Sequence, residues 1–374
     1  MEAVSNLIDS EVGSVPPRKI VVAGAQLGAI HEDTPRSDVL DRMIVLMDQA
    51  HSKGAKLILF PEIALTTFFP RHMYEGEELE KWFERDEGDP TKSPGMKPIF
   101  DKAREYKIDC SVGYAECAGS GPEHGAYTDH VHYNSQAYYS AAADKVISKY
   151  RKVHLPGTFE PYERKEATNQ LEKRYFLPGN LGFEAFRAPG LLPDTFTKTS
   201  SEAPNKPETL GRGDPILGTL ICNDRRWPEA WRCYGLQGAE LVLCGYNTTA
   251  WAPELLGTNP KLDTPEKAKA EALFHNKLSI THGSYTNSCW SINVAKAGVE
   301  DGKYPLIGGS CIVNPDGDVV AEAKTEDDEL LVHEIDLSLC RRGKGKVFAF
   351  EKHRRIEAYA RLVEQTGVVE PEFL

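Results

Sequence analysis

The sequence predicts a single α/β domain in which strands are packed between layers of helices. Short apolar, β-branched segments alternate with segments of helical periodicity along most of the chain. No clear linker divides the chain, and no repeat of solenoid period occurs. A length of 374 residues is sufficient for one large domain of this class. These three observations favour one domain over two.

Each predicted element follows from a local pattern. Apolar, β-branched runs bounded by Gly, Pro or polar turns predict strands, and apolar residues at helical spacing predict helices. In chain order the predicted elements are a strand at 19–26, a helix at 36–52, a strand at 56–60, a helix at 97–106, strands at 108–116, 134–140, 145–149 and 218–221, a helix at 228–236, a strand at 240–244, a helix at 265–282, and strands at 291–296, 310–314, 319–324 and 330–336.

Three segments lie outside this alternation. Residues 1–18 are polar and predict a flexible extension before the main domain at 19–337. Residues from about 191 to 214 are rich in Pro, Gly, Ser and Thr and predict a surface insertion. Residues 338–374 are charged and partly helical, and we expect them to form an arm that contacts another subunit.

Composition narrows the class of protein. The formal net charge of −12 argues against a nucleic-acid partner, because phosphate binding needs an excess of Lys and Arg. The eight cysteines have neither CxxC pairs nor zinc spacing, so we expect no metal site and no disulfides. The N-terminal residues lack the apolar region of a secretory signal, so we expect none, and no apolar run has the length of a membrane span. We therefore expect a soluble cytoplasmic protein with a small-molecule substrate and no membrane partner.

The segment 217–232 (LGTLICNDRRWPEAWR) carries the strongest chemical signal. Cys222 follows a predicted strand and precedes a predicted helix, so the chain turns sharply there, with Arg225 and Arg226 nearby. Backbone N–H groups and guanidinium groups favour the thiolate, which is the nucleophilic form of cysteine. The alternative is a buried structural cysteine, since a free thiol behaves as a small apolar group.

Two further reactive residues follow strands. Glu62 comes after the strand at 56–60 and Pro61, among apolar residues that suit a carboxyl group to general-base work. Lys152 follows the strand at 145–149 and offers an ammonium for an oxyanion. Taken singly, Glu62 reads as a cap or ion-pair partner and Lys152 as an edge charge. Together with Cys222 they supply base, cation and nucleophile at one edge of an α/β sheet.

The motifs that surround these residues resemble those of a known enzyme family. The strings FPEIALTTFFPRH, KYRKVHLPG, LEKRYFLPGNLGF, ICNDRRWPEAWR, GLQGAELVLCGYNT and GSCIVNPDG are similar to segments of the nitrilase, or carbon–nitrogen hydrolase, superfamily. Within it they most resemble the N-carbamoyl-D-amino-acid amidohydrolases (D-carbamoylases). The resemblance extends from about residue 19 to about residue 353, with an interruption near 195–214.

This resemblance implies a fold and a reaction. The family fold is an α-β-β-α four-layer sandwich, and its members assemble into homo-oligomers, here a dimer or tetramer. The implied reaction is hydrolysis of an N-carbamoyl amino acid to the free amino acid, carbon dioxide and ammonia. It proceeds through a cysteine acyl-enzyme, and no metal or organic cofactor is needed.

The resemblance also assigns roles to individual residues. It implies that Cys222 is the nucleophile, Glu62 the base and Lys152 the cation on the oxyanion side. Glu172 matches an additional carboxylate that holds the lysine or orders water. The residues implied to contact the substrate or support the site are His154, Asn223 (through its backbone N–H), Arg225, Arg226 and Asn247, with the two arginines and Asn247 matched to the grip on the substrate α-carboxylate.

The chain departs from the family pattern at Gln170, where the family tends to have His. Gln donates a hydrogen bond but carries no proton in the neutral range. The loop 158–169 and the insertion 191–214 also diverge, so stereochemistry, side-chain preference, order of product release and oligomer size stay open.

Other functions are compatible with parts of this pattern. A β-ureidopropionase-like enzyme or an amidase uses the same triad, although the two arginines after Cys222 favour a substrate with a carboxylate. A non-catalytic binding protein on the same fold has no need of all three reactive residues. A Cys-His protease is a weaker alternative, because no local protease signature accompanies Cys222.

Overall fold

A computed structural model describes residues 17–120, 130–193, 213–256 and 264–373. Its first sheet has seven strands in the order β15-β1-β2-β4-β5-β6, with β3 paired to β4. The pairs β1–β2 and β2–β4 are parallel, whereas β1–β15, β4–β5 and β5–β6 are antiparallel. The strands are β1 (Lys19–Gln26), β2 (Leu57–Leu59), β3 (Glu84–Arg85), β4 (Asp109–Ser120), β5 (His130–Ser140), β6 (Lys145–Arg151) and β15 (Glu329–Asp336).

The second sheet has six strands in the order β14-β13-β10-β9-β8-β7. The central pairs β8–β9 and β9–β10 are parallel, and the outer pairs are antiparallel. The strands are β7 (Phe186–Arg187), β8 (Ile216–Ile221), β9 (Leu241–Tyr246), β10 (Trp290–Ala295), β13 (Cys311–Val313) and β14 (Val319–Glu322); β11 (Val299–Glu300) and β12 (Tyr304–Pro305) form a separate small ladder.

Helices cover the outer faces of both sheets. The α-helices of the described residues are α1 (Arg36–Ser52), α2 (Gly76–Glu80), α3 (Lys97–Tyr106), α4 (Glu172–Tyr175), α5 (Pro228–Leu236), α6 (Pro253–Leu256), α7 (Pro265–Asn287), α8 (Cys340–Arg342), α9 (Phe350–His353) and α10 (Arg361–Glu364). Among them none is long and apolar enough to cross a membrane.

Three apolar clusters define four layers. The first lies between α1, α3 and the first sheet and contains Met43, Ile58 and Phe100. The second, with Leu59 and Ile292, lies between the two sheets. The third joins the second sheet to α5 and α7. The order helix, sheet, sheet, helix confirms the predicted α-β-β-α sandwich, which burial of these apolar faces stabilises.

Most predicted elements are present, and the differences are local. The strand 19–26 and the helices 36–52, 97–106 and 228–236 agree with β1, α1, α3 and α5. The short elements α2, α4, β3 and β7 were not predicted, because two to five residues are too few for a periodic pattern. The predicted extension 1–18 and insertion 191–214 lie mostly outside the described residues, and the domain boundaries stay predictions.

Candidate active site

Glu62, Lys152 and Cys222 meet between the two sheets. Glu62 and Lys152 follow β2 and β6 of the first sheet, and Cys222 follows β8 of the second. Lys152 Nζ donates to Glu62 Oε1 over 2.7 Å. Cys222 Sγ donates to the carbonyl of Asn247 over 3.0 Å, and the N–H of Asn247 donates to Glu62 Oε2 over 2.8 Å. The backbone of Asn247 thus links the Cys222 thiol to the Glu62 carboxylate. All three reactive side chains are buried.

Two glycines let the turn that carries Glu62 enter the space between the sheets. A Cβ at Gly113 in β4 would lie 2.7 Å from the Cα of Glu62, and one at Gly245 in β9 would lie 2.8 Å from its nitrogen. Asn134 of β5 donates from Nδ2 to Glu62 Oε1 over 2.7 Å. Backbone and side chain of Glu62 are therefore fixed from both sheets.

Lys152 lies between two carboxylates. Its Nζ donates to Glu62 Oε1 and, over 2.6 Å, to Glu172 Oε2. Burial lowers the pKa of Lys152, but attraction to the ionised forms of Cys222, Glu172 and Glu62 outweighs burial and raises the pKa above the usual value. Lys152 is thus a permanent cation. Burial raises the pKa of Glu172 to about 7, against the opposing effect of Lys152.

Cys222 occupies a constrained turn. Its φ of +49° is left-handed, and it begins a 3₁₀ helix, Cys222–Arg226, that leads into α5. Such a conformation is unusual for a residue with a side chain and is often found at functional sites. The expectation of a thiolate is wrong for this state: burial, and then the negative charge of Glu62, raise the pKa of Cys222 despite Lys152 and Arg225. The protonated thiol explains why Sγ donates to a carbonyl.

The structure gives Arg225 a role that was not expected. The Arg225 side chain is buried and donates to Asn276 Oδ1, to the carbonyl of Cys222 and to Thr248 Oγ1. Its guanidinium lies over the ring of Tyr246. These hydrogen bonds use three of the five N–H donors of Arg225 and hold the Cys222 turn, a role that the expectation of a carboxylate contact did not include.

Arg226 differs from Arg225 in its exposure and contacts. It is exposed at the end of the same turn, and it makes no hydrogen bond or ion pair with the described residues. The two adjacent arginines therefore point in different directions, a distinction that their identical residue type does not reveal.

Asn247 is held against Glu62. Asn247 Nδ2 donates to the carbonyl of Glu62 over 2.9 Å, and its Oδ1 is buried and without a hydrogen-bond partner. Asn247 thus positions Glu62, a role that the sequence did not indicate. The Nδ2 amide has a second N–H donor, so the expected contact with a substrate carboxylate stays a prediction. Asn223, beside Cys222, is partly exposed and donates from Nδ2 to the carbonyl of His154 over 3.2 Å.

Asp224 is the main site residue that sequence reasoning missed. Its buried carboxylate accepts from Tyr150 Oη over 2.8 Å, from the N–H of Ile221, and from both the N–H and the Nδ1 of His154. His154 also stacks on Trp227 with ring centroids 4.8 Å apart. Asp224 thus fastens the turn of Cys222 to the segment after Lys152. In the sequence, the only indication of this role is the position of an acidic residue two places after Cys222.

One group of side chains in the described part of the chain has the spacing of a metal site. The ligand atoms of Glu80, Cys117 and His130 lie within 4.8 Å of one another. Arg85 donates to Glu80 Oε2 over 3.1 Å and lies 3.3 Å from His130 Nε2, so a cation already neutralises the group. None of these residues belongs to the triad.

Comparisons with known proteins agree with this geometry. The family model described as carbon–nitrogen hydrolase matches residues 22–344. The chain is 27% identical to an N-carbamoylputrescine amidase of Oryza sativa subsp. japonica, over 85% of this chain and 86% of the relative. It is 25% identical to a citrullinase of Francisella tularensis, over 92% of this chain and 99% of the relative.

A solved structure shares the fold. The carbon–nitrogen hydrolase of Helicobacter pylori G27 superposes with a TM-score of 0.67 at 19% identity, covering 93% of this chain and 99% of that one. The family match covers the sandwich and extends over Glu62, Lys152 and Cys222. The chain therefore belongs to the carbon–nitrogen hydrolase family.

Proposed function

We propose that this enzyme hydrolyses the carbamoyl C–N bond of N-carbamoyl amino acids, and that the D-enantiomers are its substrates. The single observation that carries the chemistry is the chain of contacts from Lys152 through Glu62 and Asn247 to Cys222. It supplies a nucleophile, a base and a cation in one buried site. The expectation of D-substrates rests on the family resemblance of the motifs.

The proposed reaction has two half-reactions, formation and hydrolysis of an acyl-enzyme, and Glu62 transfers the proton in both. Glu62 accepts the proton of Cys222, and the sulfur attacks the carbamoyl carbon. Lys152 and the backbone N–H of Asn223 hold the oxyanion. Collapse breaks one C–N bond, Glu62 returns the proton to the departing amine, and a thioester remains. Water, deprotonated by Glu62, then attacks the thioester, and Glu62 returns that proton to the departing sulfur of Cys222. The carbamic acid that is released decomposes to carbon dioxide and the second amine.

Two observations support a carbamoyl substrate with a carboxylate. The names of two relatives, N-carbamoylputrescine amidase and citrullinase, both refer to substrates with a carbamoyl nitrogen. In this chain Arg226 is exposed beside Cys222 and has no counter-ion among the described residues. A guanidinium pairs with a carboxylate and repels an ammonium, so Arg226 favours an amino-acid derivative over a carbamoylated diamine.

Ammonia release from a panel of substrates tests the proposal. The panel contains matched D- and L-N-carbamoyl amino acids, N-carbamoylputrescine, β-ureidopropionate and a simple amide. We expect the D-carbamoyl amino acids to give the highest kcat/KM. Highest activity on N-carbamoylputrescine, β-ureidopropionate or the simple amide would replace the substrate assignment, and activity on none of them would favour a binding protein.

The role of Cys222 is tested in the same assay. Cys222→Ala should lose activity by at least about 10³-fold, because the acyl-enzyme cannot form. Cys233→Ala is the matched control, since Cys233 is an exposed free thiol on α5. Activity of Cys222→Ala close to that of the control would refute the mechanism.

We also propose that the chain forms a homo-oligomer, a dimer or tetramer, through its C-terminal arm. Residues 338–373 carry apolar side chains that are almost fully exposed, including Val363, Val368 and Phe373. A segment with this many exposed large apolar side chains is typical of an interaction surface. Light scattering should give a multiple of the 41.5 kDa chain mass, and truncation after Asp336 should reduce it. A monomeric full-length chain would contradict this proposal.

A further inference from the structure

Gln170 makes a direct hydrogen bond to the carboxylate beside Lys152. Gln170 Nε2 donates to Glu172 Oε1 over 2.7 Å, and Lys152 Nζ donates to the other oxygen, Oε2, over 2.6 Å. Each carboxylate oxygen of Glu172 therefore faces a donor. Two donors on two oxygens favour the ionised form, because a proton on either oxygen would face an N–H group.

The backbone around Gln170 is fixed from two sides. The N–H of Thr158 donates to the carbonyl of Gln170 over 2.9 Å, and the N–H of Leu171 donates to the carbonyl of Pro70 over 2.7 Å. Gly157 has φ +80°, and a Cβ there would overlap the Gln170 carbonyl. The loops after Lys152 and after Glu62 thus fix the backbone from which the side-chain amide of Gln170 extends to Glu172.

Charged and titratable groups of three other segments act on Glu172. Lys152, after β6, contacts it directly; Glu62, after β2, binds the same Nζ; and Cys222, after β8, interacts electrostatically with it. Burial raises the pKa of Glu172 to about 7, and Glu62 adds to this, whereas Lys152 and the Gln170 hydrogen bond lower it. Gln170 is the one uncharged donor in this balance.

We propose that Gln170 is a positioning residue that keeps Glu172 ionised and turned toward Lys152, and so holds Lys152 beside Glu62 in neutral solution. The inference rests on the proposed function, because Lys152 matters only if it serves that reaction. A carboxamide donates without titrating, so the ability of Gln170 to donate to the Glu172 carboxylate does not change with pH. Ionisation of Glu172 alone then controls whether Lys152 is held from both sides.

Alkylation of Cys222 tests this proposal without any substrate. The rate with iodoacetamide, followed by mass spectrometry from acid to alkaline pH, should show a step from Glu172 at about 7 in addition to the thiol's own titration. Glu172→Gln should remove that step, which assigns it. Gln170→Leu should move the step upward by about one pH unit, because a hydrogen bond to the charged form is lost. Gln170→Met is a second apolar variant of similar size.

Asn169→Ala is the matched control, because Asn169 lies on the same loop and its Oδ1 accepts only from the N–H of Tyr162. A step that stays in place in both Gln170 variants, that moves equally in Asn169→Ala, or that is absent from the wild-type protein would overturn the role of Gln170. The substrate panel gives a separate result: a shifted step in a protein that hydrolyses no carbamoyl compound would uphold the Gln170–Glu172 coupling and refute the proposed function.

Discussion

Cys222 is surrounded by groups that have opposite effects on the pKa of its thiol. Burial and the charge of Glu62 raise the pKa of its thiol, while Lys152 and Arg225 lower it. The resting state is a thiol hydrogen-bonded to the Asn247 carbonyl, so in the proposed reaction the nucleophile forms when Glu62 removes the proton. The site is therefore a coupled acid–base pair rather than a preformed thiolate.

The coupling predicts opposite effects of one substitution on reactivity and turnover. Glu62→Gln removes the negative charge that raises the pKa of Cys222, so the alkylation profile of the thiol should move to lower pH. Turnover should nevertheless fall by about 10²–10⁴-fold, because the general base is lost. An unchanged or upward-shifted alkylation profile would mean that Glu62 does not act on the thiol. Glu351→Gln, which alters an exposed carboxylate on α9, is the control.

The two neighbouring arginines predict different kinetic signatures. Arg226→Gln should raise KM for a substrate with a carboxylate by about tenfold or more and change kcat little, because it removes the proposed contact with the substrate. Arg225→Gln should lower kcat and the free energy of unfolding, since Arg225 holds the carbonyl of Cys222, Asn276 and Thr248. Steady-state kinetics and urea unfolding of both variants check this. A rise in KM alone for Arg225→Gln would return that residue to substrate binding.

The long helices and strands were predicted well from the sequence, because each has apolar residues at a regular spacing. The helix 97–106 agrees with α3, whose apolar face of Ile99, Phe100 and Ala103 is buried. α7, in contrast, continues five residues past the predicted end at 282, to Asn287. Its last turns bury Gly283, Ser284 and Asn287 instead of apolar residues, so periodicity of apolar residues could not locate the end.

The candidate site was predictable only in part for a related reason. Strand ends located Glu62, Lys152 and Cys222, since residues at the ends of neighbouring strands converge. The contacts of Asp224, Asn134 and Arg225 depend on the 3₁₀ turn and on packing between sheets, which no local pattern encodes. Their roles became visible only from hydrogen-bond partners and burial.

The close approach of Gly113 in β4 to Glu62 can be tested by adding a side chain at position 113. Gly113→Ala would bring a Cβ within 2.7 Å of the Cα of Glu62, so the turn must shift. We expect kcat/KM to fall by about tenfold or more and the free energy of unfolding to fall by about 1–3 kcal/mol. The control is Gly345→Ala, because position 345 has no atom within 4 Å of the added Cβ. Equal activity of the two variants would show that the close approach is not needed.

At the scale of the whole molecule, the two sheets are joined by a buried ion pair away from the triad. Arg18 precedes β1 of the first sheet and Glu240 precedes β9 of the second, and their side chains form a salt bridge with little exposure on either side. Arg18 Nη2 also donates to the carbonyl of Gly213 over 2.8 Å, and Glu240 Oε2 accepts from the N–H of Ile216 over 3.2 Å. The pair thus ties the starts of two central strands together.

Breaking one half of this pair should destabilise the whole sandwich. Glu240→Gln leaves the buried guanidinium of Arg18 without a counter-ion, and we expect the free energy of unfolding to fall by about 3–5 kcal/mol. The double variant Arg18→Met, Glu240→Leu should lose less free energy of unfolding than Glu240→Gln alone, because neither charge stays buried. Urea unfolding measures all three proteins. Lys19→Gln, which breaks the exposed pair with Glu334, should leave the urea midpoint unchanged. If Glu240→Gln unfolds at the same urea midpoint as Lys19→Gln, the Arg18–Glu240 pair does not stabilise the sandwich.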